Sequence, residues 1–338
     1  MNLNLKNVFS INPILFFEVV RILANVAVCV LPQQVFNVNS NNLHLLNTTF
    51  SYISRSINLQ KFKEEINNVE NRISNTLEDN KIKKELRELG IDVLPFCTIV
   101  DKIISSKEMP IFPNVQYYVY KIEEEDSVKK ILEKIRKMEI EILNSKNIKS
   151  QLKNRLKIIK LEGELLGYPK CCINEFIKLK KKNILEGYKV TPEKKVIIDL
   201  LNSKMLEEFQ KIIESSLSYF NESLYSLFSM NFYPCSIACR NAIKVGKICE
   251  EYLDNVENAF KKGYRCGLLF NAFYHIVTGY NSYITSKNKD SSYIRQISKH
   301  YCKLKPEIKE ILDASKNVIT NLHFGNAFIK NCVERSKM

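Results

Sequence analysis

LLGYPKCCINEF, residues 165–176, places a helix stop, a helix start and two adjacent thiols within one short stretch. A lysine-rich pattern of helical period from Ser150 to Leu166 runs into Gly167, which suits the left-handed position that closes a helix. Pro169 suits the first position of the next helix, and Ile173, Phe176 and Ile177 supply that helix with an apolar face. The stretch is a joint between two helices, with Cys171 and Cys172 in the first turn of the second. There the unpaired backbone N–H groups and the positive end of the helix dipole favour thiolate over thiol.

The same helical grammar extends in both directions. Asn12 can cap, and Pro13 can start, a first helix that would end before Pro32, and a polar stretch around residues 37–49 (NVNSNNLHLLNTT) reads as a loop. Charges interleave with Ile, Val and Leu from Leu59 to Leu89, where Gly90 supplies a stop. Strands are expected near 91–100 and 115–122, where β-branched and aromatic residues cluster on either side of a proline-containing connection. Helices are predicted again over 127–144, 150–166 and 196–205, in a long region reaching Phe228, and in three or four segments of the last hundred residues. With nine glycines and nine prolines in 338 residues, long helices are favoured over many-stranded sheets. The fold class is mainly α: a helical body with a small α+β N-terminal unit. The polar run near 148 divides the chain into 1–148, carrying the strands, and 149–338, carrying the cysteines.

A second stretch, FYPCSIACRNAIKVGKICEEYLDN at 232–255, repeats Tyr-Pro before cysteine and leads into another amphipathic helix. Read as helical, Cys235 and Cys239 share one face about 6 Å apart along the axis, whereas Cys249 lies about 21 Å from Cys235 and cannot share a site with it. Cys29, Cys97, Cys302 and Cys332 are isolated and read as small buried hydrophobes. The candidate metal ligands are therefore Cys171, Cys172, Cys235 and Cys239. Adjacent helical residues diverge by about 100°, which is awkward for one tetrahedral ion. A polynuclear cluster lets each sulfur address a different metal atom, so an iron–sulfur cluster is favoured over zinc. Ala242 stands where a radical-SAM motif needs its third cysteine, and Ile173 replaces the glycine of a Cys-Cys-Gly cluster domain. No Gly-rich phosphate loop, dinucleotide fingerprint, His-Glu-x-x-His motif or Gly-x-Ser-x-Gly elbow is present.

The linked motifs LGYPKCC and YPCSIAC resemble the largely prokaryotic domain-of-unknown-function family 483, which pairs Gly-Tyr-Pro-x-Cys-Cys with a later Pro-Cys-Ser-x-x-Cys. The resemblance covers roughly residues 150–255. It implies that Gly167, Tyr168, Pro169, Cys171, Cys172, Pro234, Cys235, Ser236 and Cys239 form one pattern, and it implies no activity.

Around the thiols, Tyr168, Pro169, Glu175, Tyr233, Pro234, Ser236 and Arg240 are the expected lining. The tyrosines are read as packing, Glu175 as capping, and His275, set among aromatics, as a core residue. A net charge of +14 suits RNA or another polyanion, and Lys178, Lys180, Lys181 and Lys182 form the nearest basic patch. No secretory signal is evident, and Glu18 and Arg21 interrupt the most apolar stretch, so the chain is expected to be cytoplasmic with no membrane span. In a reducing compartment ten cysteines point away from a disulfide framework. The leading functional reading is a cytoplasmic metal- or iron–sulfur-binding protein, with redox or sulfur-transfer chemistry as the reaction classes open to it. Two others stand beside it: a non-catalytic nucleic-acid or protein-binding module with a structural zinc, and a metal-free thiol redox protein.

Overall fold

The structure is a computed structural model and describes residues 2–32, 42–100, 113–186, 191–203, 220–286, 291–304, 306–315 and 322–335. These are mainly helical, with a small antiparallel sheet, as expected. The chain divides into two compact units that are discontinuous in sequence: Met1–Ile11, Ala27–Tyr168 and Ile184–Glu186 in one, and Asn12–Val26, Pro169–Asn183 and Gly187–Met338 in the other.

In the first unit the strands β1 (Cys29–Val30), β2 (Ile91–Thr98) and β3 (Asn114–Lys121) form a sheet of order β1-β3-β2. Ile91 pairs with Lys121 and Thr98 with Asn114, and β2 tolerates Pro95 because it is an edge strand. Helices α1 (Asn2–Ile11), α3 (Asn42–Ile53), α4 (Leu59–Glu78), α5 (Lys81–Arg87), α6 (Glu125–Asn144) and α7 (Ile148–Leu165) complete this unit. Phe62, Ile66, Val69, Ile73 and Leu77, one stripe of α4 at helical spacing, are all buried. An ionic clamp ties α6 to α4 and to the residues just after β2. Arg136 reaches Glu70 at 2.7 Å and Glu139 at 3.2 Å, while a Glu139 oxygen accepts the N–H groups of Ile99 and Val100 at 3.0 and 3.2 Å. Burial pushes the Glu139 carboxyl up to about 7, against the opposing pull of Arg136 and these N–H donors.

Three expectations change here. The polar stretch expected to be a loop holds α3 from Asn42 onward, and its residues 37–41 lie outside the described residues. The helical pattern over 59–89 breaks at Asp79, because Asn80 leaves the helix and caps α5 through the N–H groups of Ile82 and Lys83. The first apolar helix, α2 (Pro13–Leu23), starts under Asn12 as expected but stops early. Asn25 turns to φ 58°, and Cys29 and Val30 pair with β3 instead.

The second unit contains α2, most of α8 (Lys170–Glu186), α9 (Pro192–Asn202), a 3₁₀ turn (Glu222–Leu227), α10 (Arg240–Asp254), α11 (Asn258–Thr285), α12 (Ser292–Tyr301), α13 (Pro306–Ser315) and α14 (Leu322–Arg335). Of the long helical region expected to reach Phe228, residues 204–219 lie outside the described residues, and Glu222–Leu227 coils as 3₁₀. Helix α11 is buried on nearly every side, from Phe260 to Tyr280, and α2, α9, the 3₁₀ turn, α10, α12, α13 and α14 pack against it. Gly246 allows α10 to lie against the 3₁₀ turn, since a Cβ there would fall 2.3 Å from the Tyr225 carbonyl oxygen.

Glu18 and Arg21 are each 1 % exposed and pair at 2.7 Å inside this unit. Glu18 also accepts from the Ser229 hydroxyl at 3.0 Å and the Met230 N–H at 2.7 Å. The Asn271 amide donates to the carbonyls of Leu227 and Ser229, both at 2.9 Å. Two buried polar side chains thus fix the segment that leads into the second cysteine motif. Among the described residues, no helix is long and apolar enough to cross a membrane.

Candidate metal centre

The first motif folds as its punctuation predicts. Gly167 takes φ 70°, its N–H bonds to the Glu164 carbonyl at 3.1 Å, and the Tyr168 N–H returns to Gly163 at 2.9 Å, which closes α7 in a Schellman arrangement. One residue later α8 begins, with the Pro169 carbonyl accepting from Cys172 at 2.9 Å and Ile173 at 3.0 Å. The second motif departs from expectation. Cys235 and Cys239 are not on a helix: residues 233–238 form a turned loop, and α10 starts only at Arg240. Pro234 and Ser236 account for this, since the Ser236 hydroxyl accepts the Ala238 N–H at 3.2 Å and its carbonyl accepts the Cys239 N–H at 3.0 Å. Cys239 occupies the N-cap of α10 without its side chain bonding to that helix, which leaves the sulfur free to turn elsewhere.

The sulfurs of Cys171, Cys172, Cys235 and Cys239 all lie within 4.8 Å of one another, a group that could hold a metal ion. Cys171 and Cys172 approach to 3.9 Å, and each is 3.7 Å from Cys239. The expected divergence of neighbouring helical residues does not keep these two apart. First-turn side chains lean toward the helix N-terminus, so both sulfurs reach past the end of α8 into the same space. Cys172 is 2 % exposed, while the other three are half-buried.

The surroundings are donor-rich. The Cys235 N–H points at the Cys172 sulfur at 3.4 Å, and the Asn241 amide donates to Cys171 at 3.5 Å. Burial works against ionisation of Cys171, but hydrogen bonds from Asn241 and the neighbouring thiols outweigh it and hold this thiol below its ordinary value. Burial raises Cys172 well above the usual thiol range and pushes Cys235 up to about 11. Ionisation is eased at Cys171 and resisted at Cys172 and Cys235, first by burial and then by repulsion between neighbouring thiolates, which a cation between them would relieve.

Helix α9 braces the loop. Lys195 donates to the Cys235 carbonyl at 2.5 Å and pairs with Glu175 at 3.3 Å, while Asp199 accepts the Ile237 N–H. Glu175 therefore ties α8 to α9, where capping was expected. Tyr233 stacks on Phe176 with ring centroids 6.3 Å apart and meets His275 edge-on at 5.8 Å, so an aromatic contact joins the two motifs. His275 is fully buried with neither ring nitrogen hydrogen-bonded, and burial lowers it to about 4. Pro234 is buried, and Tyr168, Pro169 and Ser236 are half-buried. Arg240 is exposed at the start of α10. Of the expected basic patch, Lys178 pairs with Glu175 at 3.6 Å, Lys180 lies over the Phe176 ring at 5.4 Å, Lys181 is exposed and Lys182 half-buried. Cys29, Cys97, Cys249 and Cys266 are buried and are not members of the four-thiol group, but Cys302 is exposed, contrary to its reading as a buried hydrophobe. The side chain of Cys332 lies outside the described residues. Lys195, Asp199 and Asn241 escaped sequence reasoning. The first two lie some forty residues from the loop they hold, and an asparagine two positions after a cysteine carries no signal of its own.

A helical protein with four convergent thiols at two helix entrances is the class that fold and site define. Residues 122–264 match the family described as Protein of unknown function (DUF483), so the resemblance carried by the two motifs holds and extends to either side of them. Among curated proteins the chain is similar to Uncharacterized protein MJ1106 of Methanocaldococcus jannaschii, with 29% identity over 98 residues, 28% of this chain and 42% of that protein. The chain thus matches less than half the length of this relative. No solved structure matches the chain.

Proposed function

We propose that the protein is a metal-binding protein in which Cys171, Cys172, Cys235 and Cys239 hold a single tetrahedral ion, zinc ahead of an iron–sulfur cluster. One observation carries this reading: the sulfurs of Cys171, Cys172 and Cys239 stand 3.7, 3.7 and 3.9 Å apart, with that of Cys235 within 4.8 Å of each. Metal–sulfur bonds of ~2.3 Å at tetrahedral angles put ligand sulfurs about 3.8 Å apart. A cubane cluster seats each thiolate on a different iron and spreads the sulfurs to roughly 6 Å. Four thiolates leave no open coordination position, so the ion acts as a structural tie between the start of α8 and the loop before α10. The donors from Asn241, the Cys235 N–H and Lys195, together with the N-termini of α8 and α10, offset the net negative charge of such a centre.

The experiment is metal analysis of the full chain purified anaerobically. Colourless protein with one zinc per chain, replaceable by cobalt(II) to give a tetrahedral thiolate spectrum, is expected. Red protein containing one iron and no acid-labile sulfide keeps the mononuclear geometry but changes the ion. Brown protein with acid-labile sulfide replaces this reading with the cluster, and metal-free protein with four freely titrating thiols removes it.

A further inference from the structure

One helix of the first unit carries a long run of basic side chains with no acidic residue among them. Between Glu141 and Glu162 the sequence carries Lys146, Lys149, Lys153, Arg155, Lys157 and Lys160 and not one carboxylate. On α7, Lys149, Lys153, Lys157 and Lys160 recur at four-, four- and three-residue spacing, which confines them to an arc of about 80° along about 16 Å of helix. All four are exposed, while Leu152, Asn154, Ile158, Gly163 and Leu165 bury the opposite face. Contacts to α6 fix that orientation: Asn154 donates to Glu141 at 2.8 Å, and the Gln151 amide donates to the Ser145 carbonyl at 2.6 Å. Lys160 lies 3.9 Å from Glu164 at the far end of the stripe.

This arrangement opposes helix stability. Like charges three or four residues apart cost about 0.2–0.5 kcal/mol per pair, so the three successive lysine pairs cost on the order of 1 kcal/mol, relieved by a row of anions. The long helices α4 and α6 of the same unit interleave their charges. Lys129 of α6 pairs with Glu125 at 2.5 Å, and α4 sets four glutamates against two lysines and an arginine. A membrane surface is a poor match, because a helix lying in an interface must offer it an apolar face, and that of α7 is buried.

We infer that the lysine stripe of α7 binds the phosphodiester backbone of nucleic acid, without reading its bases. Phosphates contacted by four lysines give a salt slope of about −3 on a single strand, or roughly fiftyfold weaker binding as salt rises fourfold. Fluorescence anisotropy of the full chain would use a labelled oligouridylate, the matching oligothymidylate, a DNA duplex and, as a separate arm, vesicles containing phosphatidylserine. Lys149→Gln, Lys153→Gln and Lys157→Gln together are expected to weaken nucleic-acid binding at least tenfold and to reduce the slope to about −1. The corresponding arginine triple, which keeps the charge and tests the fold, is expected to bind like the parent. Lys61→Gln, Lys63→Gln and Lys130→Gln together, at positions exposed elsewhere in the unit, remove the same charge and are expected to leave binding within about twofold. Equal loss in both glutamine triples reduces the effect to net charge and overturns the inference. Binding to vesicles alone, or no salt-dependent binding to any nucleic acid, also overturns it.

Discussion

Replacing Cys172 with serine asks whether the four thiols act as one centre. Cys172 is 2 % exposed, stands 3.9 Å from Cys171 and 3.7 Å from Cys239, and receives the Cys235 N–H. Structural zinc sites are worth about 10–16 kcal/mol in apparent binding, so one of four ligands carries about 3 kcal/mol. Loss of that amount weakens affinity by roughly a hundredfold or more. The control is Cys249→Ser. Cys249 is 0 % exposed, and burial pushes it up to about 12, but it lies inside α10 and outside the four-thiol group. Its replacement lowers stability while leaving metal affinity within about twofold of the parent, since it contributes no ligand. Competition of the intact chain against a chromophoric zinc chelator measures both variants on one scale. An affinity for Cys172→Ser close to that of the parent would falsify the four-ligand centre, as would an equal loss in Cys249→Ser.

Lys195→Met keeps the aliphatic stem and removes the donor to the Cys235 carbonyl, so metal loss to a chelator should accelerate roughly tenfold with little change in melting temperature; unchanged release kinetics would show that the loop holds without this brace. Glu139 gives a pH test in the first unit. Its folded carboxyl is raised to about 7 from an ordinary 4.5, so between those values the folded state binds more protons than the unfolded one, and stability falls as pH rises through that window. The full contribution is about 3 kcal/mol. Glu139→Gln does not titrate, so the stability of the parent relative to this variant, from urea unfolding at successive pH values, should decline from pH 5 to 8; a flat or rising difference refutes the assignment.

Local punctuation was readable wherever a single residue dictates backbone geometry. Gly167 closing α7, Asn12 capping α2, and the strands on either side of the proline-containing connection all follow from side-chain chemistry within a few positions. The cysteine grouping was readable because two short motifs repeat each other. What failed depended on competition between local and distant partners. Cys29 and Val30 leave the helical register because β3 offers them hydrogen bonds ninety residues away. The Pro234–Ala238 loop stays unwound because Ser236 satisfies the backbone that a helix would otherwise satisfy. Ideal helical divergence does not describe Cys171 and Cys172, whose sulfurs approach to 3.9 Å because first-turn side chains project beyond the helix end. Lys195 and Asp199 act through one carbonyl and one N–H, and backbone contacts of this kind leave no trace in residue type.

The pairing of α2 with α14 sets a schedule. The Ile14 N–H bonds to the Asn326 side chain at 3.1 Å, across 312 positions of sequence. At translation rates of about 5–20 residues per second, some 15–60 s separate the appearance of these two partners. Throughout that interval α2 exists without the last helix of its unit, carrying Ile14, Phe16 and Phe17, which the finished fold leaves 3 %, 0 % and 1 % exposed. A chain growing from its N-terminus therefore carries Phe16 and Phe17 well before their ring partners Phe260 and Tyr264 are made, and Ile14 before Asn326.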